Sequence, residues 1–252
     1  MGNGAVTAVH DGNKNLLIKD RLAGILREEI VSGRVQPGEP IVEGHWASKL
    51  GVAHASIREA LNILAGEGFV EKGSGQSAKV TKLSMDDVIQ LYDVRAALEG
   101  VAARLVAEKR PDLRGLDQAV ADMSAAVACQ NVMACYERDL QFHLLIARKS
   151  GNRFLMQQIR WLLAPLFAFY LMRVQVDHPN PSWGYSLDDH RRIVEVLRTA
   201  EPAAAQIHME ASVRKFFEQT HRRSYPDLAG NAAGAAPLLE SLAVRFPGGI
   251  VR

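Results

Sequence analysis

The sequence predicts a mainly α-helical protein in two parts: an N-terminal helix–turn–helix module with a small β-hairpin, and a C-terminal all-α helical bundle. Three observations support this prediction. Apolar residues recur at helical spacing over most of the chain. A Gly/Ser-rich stretch at 73–77 separates two short β-type runs. After Ser84 every long segment has helical periodicity, and the breaks carry proline, glycine or asparagine.

Composition and charge exclude several classes of protein. Of the 252 residues, 48% are hydrophobic and 23% charged, so the chain is neither disordered by composition nor a membrane protein. The longest apolar run, 161–172, is shorter than the roughly 20 residues of a membrane span. Because the net charge is only +2, any DNA binding depends on local placement of charge. Two cysteines and no apolar leader segment predict a cytoplasmic protein.

The pattern divides the chain into four stretches. Residues 1–15 have the Gly/Asn-rich composition of a flexible tail, and residues 226–252 are expected to form a mobile C-terminal tail. Residues 16–82 hold a first helix, two short helices joined by a tight turn, and the hairpin. Residues 84–222 hold six or seven helices, which we expect to pack as a bundle.

The two short helices, at about 43–50 and 56–65, are typical of a DNA-reading pair. A tight turn lets them cross steeply, which places the second helix in a major groove. Arg58 is the strongest candidate contact, because its planar guanidinium suits a guanine edge or a phosphate. The other candidates on this helix and on the hairpin are Ser56, Asn62, Lys72, Gly75 and Lys79. The alternative is a helical hairpin that only packs on the bundle, with Arg58 solvated.

Two charged residues interrupt the apolar stripe of the helix at 85–109. Arg95 and Glu99 lie one turn apart on its core-facing side, where unpaired charge is costly. Two interpretations remain open. One is a structural ion pair, and the other is an arginine that binds the carboxylate of a small acidic ligand through two parallel hydrogen bonds.

The helix at about 131–150 shows a similar anomaly. Asp139 and His143 are also one turn apart, so a carboxylate and an imidazole lie side by side, as a divalent metal requires. A hydrogen-bonded structural couple is the alternative. His190 lies on the apolar face of a later helix, and a third inward-facing polar side chain favours a site.

The N-terminal residues resemble the winged helix-turn-helix of the GntR family, FadR subfamily. The resemblance covers about 16–82 and rests on Pro37-Gly38-Glu39, Leu50-Gly51-Val52, Arg58-Glu59-Ala60-Leu61, Leu64, Glu67-Gly68-Phe69-Val70 and the wing from Gly75 to Val80. It implies a dimeric bacterial transcription regulator that reads a short palindrome in double-stranded DNA.

This sequence departs from the family pattern at positions that affect specificity. Ala53-His54-Ala55-Ser56 stands where the family commonly has Ser-Arg-Thr-Pro, and Gly44 replaces a basic residue. Of the contacts that the family implies, Arg58 and Gly75 remain, and His54 replaces an arginine. We therefore expect a different operator and modest affinity, since each lost phosphate contact weakens binding.

The bundle resembles the FCD ligand-binding domain that follows the winged helix in the FadR subfamily. The resemblance spans about 84–222 and rests on Leu91-Tyr92-x-x-Arg95-x-x-Leu98-Glu99, Asp139-x-x-Phe142-His143, Gly151-Asn152 and Asp189-His190-Arg191. It implies a metal, held by an aspartate and three histidines, that helps to bind an organic acid. Asp139, His143 and His190 match three ligands, but Ser212 stands where the third histidine is expected. His208, one turn earlier, could substitute only if its helix shifts or its side chain reaches down.

We therefore predict a homodimeric, ligand-responsive transcriptional repressor that is not an enzyme. The expected effector is a small organic acid or related metabolite, bound by Arg95, Glu99, His143 and His190. A divalent metal of the zinc, nickel or manganese class is the possible cofactor, with Asp139, His143, His190 and His208 as ligands. Two alternatives remain: a metal-dependent helical-bundle enzyme, which the missing Glu-x-x-His pair opposes, and a dimer module that has lost specific DNA binding.

Overall fold

Nine helices and three short strands make up the described part of this computed structural model, which covers the backbone of residues 11–73, 76–177 and 184–224. Side chains are described for 18–73, 76–172 and 187–219. The predicted tail at 226–252, residues 1–10 of the predicted N-terminal tail and the wing residue Gly75 lie outside the described residues.

The N-terminal module has the predicted order of helices, with one additional strand. Its elements are α1 (Asp11–Val31), β1 (Pro40–Ile41), α2 (Glu43–Leu50), α3 (His54–Gly66), β2 (Val70–Glu71) and β3 (Ala78–Val80). The expectation of a flexible tail through residue 15 is corrected, because α1 already begins at Asp11. Once an apolar segment nucleates a helix, adding polar residues at its end costs little.

The turn between α2 and α3 sets the direction of the DNA-reading helix. Gly51 ends α2 in the left-handed region, with φ 65°, and its N–H bonds to the carbonyl of Ala47. α3 then begins at His54, two residues before the predicted start. Its apolar side, which includes Ile57 and Leu61, is buried and packs on α1, so the opposite side faces solvent.

A small antiparallel sheet completes the module, and its order is β1-β3-β2. Val70 pairs with Val80, which is the predicted hairpin, and Pro40 pairs with Lys79. The pattern did not predict β1, because a two-residue strand that starts with proline has no periodicity of its own. Proline is tolerated there since β1 is an edge strand.

Six helices form the bundle in the described part of the chain, as predicted. They are α4 (Met85–Lys109), α5 (Arg114–Ala128), α6 (Val132–Lys149), α7 (Arg153–Asp177), α8 (Gly184–Thr199) and α9 (Pro202–Ser224). α4 is central and packs against α6, α7, α8 and α9. It begins with a capping box, in which the Ser84 hydroxyl accepts from the Asp87 N–H and the Asp87 carboxylate accepts from the Ser84 N–H. These reciprocal bonds define where the bundle starts.

α7 is a core helix with an unusual composition. Its stretch Arg153–Met172 has the length and hydropathy of a membrane span, but most of it is buried inside the bundle. Burial against protein accounts for most apolar residues of the 161–172 run, which was predicted to be a buried helix, whereas Trp161 is 75% exposed.

α7 also joins the two parts of the protein. Gly68, which follows α3, has φ +78°, and a Cβ built there would lie 2.2 Å from the carbonyl carbon of Ala164 and 2.3 Å from the nitrogen of Pro165. Glycine is therefore required at this contact, both for its backbone conformation and for the close approach. Pro165 has no N–H, so the wing side of the module lies against a backbone position that donates no hydrogen bond.

Candidate functional site

Three helices of the bundle enclose five charged or polar side chains, which we call the polar cluster. α4 contributes Arg95 and Glu99, α6 contributes Asp139 and His143, and α8 contributes His190. None of the five is more than 5% exposed. The structure thus brings together every predicted effector residue and three of the four predicted metal ligands.

Each carboxylate of the cluster lies between two groups that can be positive. Glu99 accepts from Nε of Arg95 at 2.6 Å, and its other oxygen is hydrogen-bonded to Nδ1 of His143. Asp139 Oδ1 lies 2.7 Å from Nε2 of His190 and 3.4 Å from Nε2 of His143. The cluster is therefore one continuous chain of pairs across three helices, and no buried charge is left uncompensated within it.

Aromatic rings wall the arginine end of the cluster. The guanidinium carbon of Arg95 lies 5.2 Å from the ring centroid of Tyr92 and 5.4 Å from that of Phe167, and Nη1 donates to the Tyr92 hydroxyl at 3.2 Å. Phe142 presents an edge-to-face contact to His190 at 4.7 Å. The rings exclude water and strengthen the electrostatic pairing. Sequence reasoning missed Phe167, because an aromatic residue at helical spacing is ordinary core.

The pairing shifts the titration of the cluster. Burial alone would raise the pKa of Glu99, but the charges of His143 and Arg95 lower it to about 2. Burial alone would lower the pKa of His143, whereas the Glu99 carboxylate raises it to about 9. The pKa of Asp139 is likewise well below its usual value despite burial, because His190 and His143 favour its ionised form. Both carboxylates are thus held in the ionised form by the groups around them.

Part of the cluster fits a divalent metal. One ligand atom each of Asp139, His143 and His190 lies within 4.8 Å of the other two. One carboxylate oxygen and two imidazole nitrogens suit a borderline metal, and Glu99 orients the His143 ring from behind, as carboxylates do in metal sites. Arg95 is the competitor: its Nη2 lies 3.1 Å from Nε2 of His143. The single lone pair of that nitrogen cannot both bind a metal and accept a hydrogen bond from Arg95.

His208 is not part of this metal-competent group. Its Nε2 is buried without a hydrogen-bond partner among the described residues. Burial lowers the pKa of His208, and the other charges that act on it belong to Arg192, Asp189 and Lys215. The predicted replacement of the ligand missing at Ser212 is therefore not formed here, because one helical turn displaces a side chain by about 5–6 Å.

The solvent-facing side of α3 carries the predicted DNA contacts. His54, Arg58 and Asn62 are exposed, and Ser56 is half-buried. Lys72, at the base of the wing, donates to the side-chain oxygen of Asn62 at 2.6 Å, which ties the wing to the helix. Lys79 is exposed on β3. All of these side chains except that of Ser56 are exposed, as a contact with DNA requires.

An acidic residue that sequence reasoning missed lies within this surface. Nε of Arg58 is 3.1 Å from both carboxylate oxygens of Glu43, and Nη2 is 2.8 Å from one of them. Hydrogen bonds from Arg58 lower the pKa of Glu43. The sequence signal for this contact was an acidic residue in the first turn of α2. Such residues are common there because they interact favourably with the helix dipole, so the signal did not indicate a partner on α3. Next to it, a Cβ on Gly44 would lie 3.2 Å from Cε1 of His54, so the side chain absent at 44 leaves room for the imidazole.

A helix–turn–helix with a wing, joined to a helical bundle that encloses a polar cluster, defines a DNA-binding regulator with a ligand-sensing domain. Comparison with known families agrees. Residues 18–80 match the family described as bacterial regulatory proteins, gntR family, and residues 90–215 match the FCD domain. The chain therefore belongs to the gntR family of bacterial regulatory proteins, with an FCD domain behind its winged helix. Its relatives are transcriptional regulators and not enzymes, so the enzyme alternative is set aside.

The chain is similar to named regulators over most of its length. It is 30% identical over 199 residues to the Nta operon transcriptional regulator of Aminobacter aminovorans, covering 75% of this chain and 88% of that protein. It is 28% identical over 188 residues to the gluconate operon transcriptional repressor of Bacillus subtilis, covering 73% and 76%. Among solved structures, E. coli McbR/YncC has the same fold, with a TM-score of 0.62 at 16% identity over 81% of this chain and 99% of that one.

Removing one partner of the buried Arg95–Glu99 pair is expected to cost far more stability than removing one partner of a surface pair of the same spacing. Arg95→Met should lower the free energy of unfolding by about 3–5 kcal/mol, because it leaves buried carboxylate charge without its partner. Arg104→Met, on the same helix, removes an exposed pair to Glu108 (3.3 Å) and should cost about 1 kcal/mol or less. Urea unfolding measures both. Equal losses of unfolding free energy in the two variants would contradict the continuous chain of buried pairs in the polar cluster.

Proposed function

We propose that this regulator binds a palindromic operator in double-stranded DNA as a cytoplasmic homodimer, and represses transcription until a small organic acid binds the polar cluster. One observation carries the choice of ligand: a buried guanidinium and two buried imidazoles converge where apolar rings exclude water. These donors already hold Glu99 and Asp139, and the same donors would bind a compact anion that displaces one of those carboxylates.

The carboxylate of Glu99 indicates how an acid would be bound. It contacts Arg95 and His143 at once, so a ligand carboxylate could replace it on either partner without a new cation. The similarity to a repressor named for gluconate, itself a carboxylic acid, supports the same class of ligand. An acid of this kind would also be compatible with the apolar wall that Phe167 forms.

α7 supplies a short route from the cluster to the DNA-binding module. The Phe167 ring lies 5.4 Å from the guanidinium of Arg95, and two residues earlier Pro165 contacts Gly68. A ligand that moves the ring would therefore act on the backbone beside the wing. The effect on DNA affinity is limited to the difference in ligand affinity between the two states of the protein.

Arg58→Ala tests the DNA-binding surface. We expect it to weaken retention of genomic fragments in gel shift about ten-fold or more, because a bidentate arginine contact is lost. Arg138→Ala removes the same charge from an exposed position on α6 and should bind like the wild type. The salt dependence should be shallow, since Gly44 offers no phosphate contact. A wild-type protein without specific retention at low salt would instead be a dimer module that has lost DNA recognition.

Thermal unfolding of the full chain with small mono- and dicarboxylic acids tests the effector. An acid that binds should raise the Tm, whereas its uncharged amide should not. Arg95→Lys keeps the buried charge but loses the planar fork, so its affinity for the acid should fall about ten-fold or more. Arg104→Lys is the matched control. An effector acid should also weaken DNA retention, and stabilisation by the amide as well as the acid would contradict carboxylate recognition.

A divalent metal at Asp139, His143 and His190 is the second part of the proposal, supported by their mutual distances and burial. When bound, the metal would supply positive charge and coordination positions for oxygen atoms of the acid. The protein would hold it with one oxygen and two nitrogen atoms, and Arg95 would have to leave Nε2 of His143. Without metal, the arginine and the histidines bind the acid directly.

Metal analysis of protein purified without chelator or a histidine tag distinguishes these cases. We expect a near-stoichiometric divalent metal in the wild type and its loss in His190→Ala, since two remaining ligands bind weakly. His45→Ala removes an exposed histidine outside the cluster and should leave the metal content unchanged. A metal-free wild type would refute the metal and leave the direct binding of the acid to be tested by the Tm experiment.

A further inference from the structure

Glu43 is a carboxylate set among groups that face DNA. It is the first residue of α2, and its side chain is 25% exposed. Arg58 donates to it from two nitrogens, at 3.1 and 2.8 Å. The charges of Lys72 and His54 also favour its ionised form, although Arg58 is the basic side chain that contacts it. A negative charge at this position opposes binding to phosphates, which raises the question of what it does.

Stability does not explain this pair. The Arg58 side chain is 62% exposed, and exposed ion pairs contribute little to folding because water and salt screen them. Arg58 is joined to Glu43 across fifteen residues of chain, from the first residue of α2 to the outer side of α3. The pair therefore fixes the orientation of a guanidinium relative to the DNA-reading helix, and that is a geometric effect rather than a large energetic one.

The hydrogen-bond inventory of the guanidinium is compatible with guanine recognition while Glu43 holds it. Arginine has five N–H groups: one on Nε, two on Nη1 and two on Nη2. Glu43 takes the Nε–H and one N–H of Nη2. Both N–H groups of Nη1 and one of Nη2 remain, and a bidentate contact to O6 and N7 of guanine needs one from each. Holding one edge thus leaves the end of the fork free to read a base.

We propose that Glu43 is a positioning residue for sequence recognition: it holds Arg58 in the orientation that reads a guanine, and its charge weakens binding where no guanine is present. This inference rests on the proposed DNA-binding function. It makes Glu43 a determinant of discrimination rather than of total affinity. A phosphate contact by Arg58 would carry no sequence information, so holding Arg58 for such a contact would not make Glu43 a determinant of discrimination.

The test begins with a duplex that the full-length wild-type protein selects from a random pool, and a scrambled duplex of the same length. Dissociation constants are measured for both duplexes, and for the selected duplex with each guanine replaced in turn. In the wild type, one guanine replacement should cost about ten-fold or more. Glu43→Gln should reduce that penalty at least about five-fold and should bind the scrambled duplex more tightly, since a charge that repels phosphates is gone.

Glu59→Gln is the matched control, because it makes the same charge change next to Arg58 on α3. Glu59 is exposed, and no ion pair is described for its carboxylate. It should tighten binding to both duplexes alike and leave the guanine penalty unchanged. Equal effects of Glu43→Gln and Glu59→Gln on the guanine penalty would overturn the inference, because Glu43 would then act only through its negative charge.

Arg58→Lys gives an independent readout, because lysine keeps the charge but loses the planar fork. Arg58→Lys should reduce the penalty for replacing the guanine as Glu43→Gln does. The double variant should show no further reduction of that penalty. Additive losses would mean that Glu43 acts through another residue and would refute the proposal. If the wild type selects no duplex, the proposed DNA-binding function is wrong. If it selects a duplex but Glu43→Gln leaves the guanine penalty unchanged, only the role of Glu43 is wrong. An unchanged Tm in Glu43→Gln shows that folding is not the cause.

Discussion

Two carboxylates, one guanidinium and two imidazoles are enclosed among α4, α6 and α8, and the stability of the bundle depends on their pairing. A buried charge without its partner costs several kcal/mol, which is comparable to the margin by which a domain folds. The pairs Arg95–Glu99, Glu99–His143 and Asp139–His190 therefore restrict how these helices can slide or rotate. The proposed ligand or metal would have to replace one of these pairs, and the helices that carry the pair would then have to rearrange.

The same restriction connects the bundle to the DNA-binding module. Phe167 packs on Arg95, and Pro165, two residues earlier in α7, lies against Gly68 beside the wing. Packed interiors transmit small shifts because they have few voids in which to absorb them. The contacts of Phe167 and Pro165 are therefore the route by which the proposed ligand would act on the module.

Several features followed from local pattern alone, for a physical reason. Helical periodicity located α4 from Met85 to Lys109 and identified Arg95 and Glu99 as charges on a buried side. The helix–turn–helix and the hairpin were also predicted from residues close in sequence. The same holds for Arg58, which the family resemblance assigns as a DNA contact. β1, the helical start at Asp11 and the role of Phe167 could not be predicted, because pairing with β3, propagation of α1 and packing across helices determine them.

The sequence by itself determined the class of protein through its family resemblance. Helical periodicity determined the two-part architecture and placed three residues that can hold a metal on the inner faces of their helices. Only the tertiary structure decided how those residues are paired. It joined Glu99 to His143, Asp139 to His190 and Glu43 to Arg58, and it left His208 outside the cluster. The reason is that hydrogen bonds and ion pairs are decided over a few ångströms, and the angles at which helices cross set those distances.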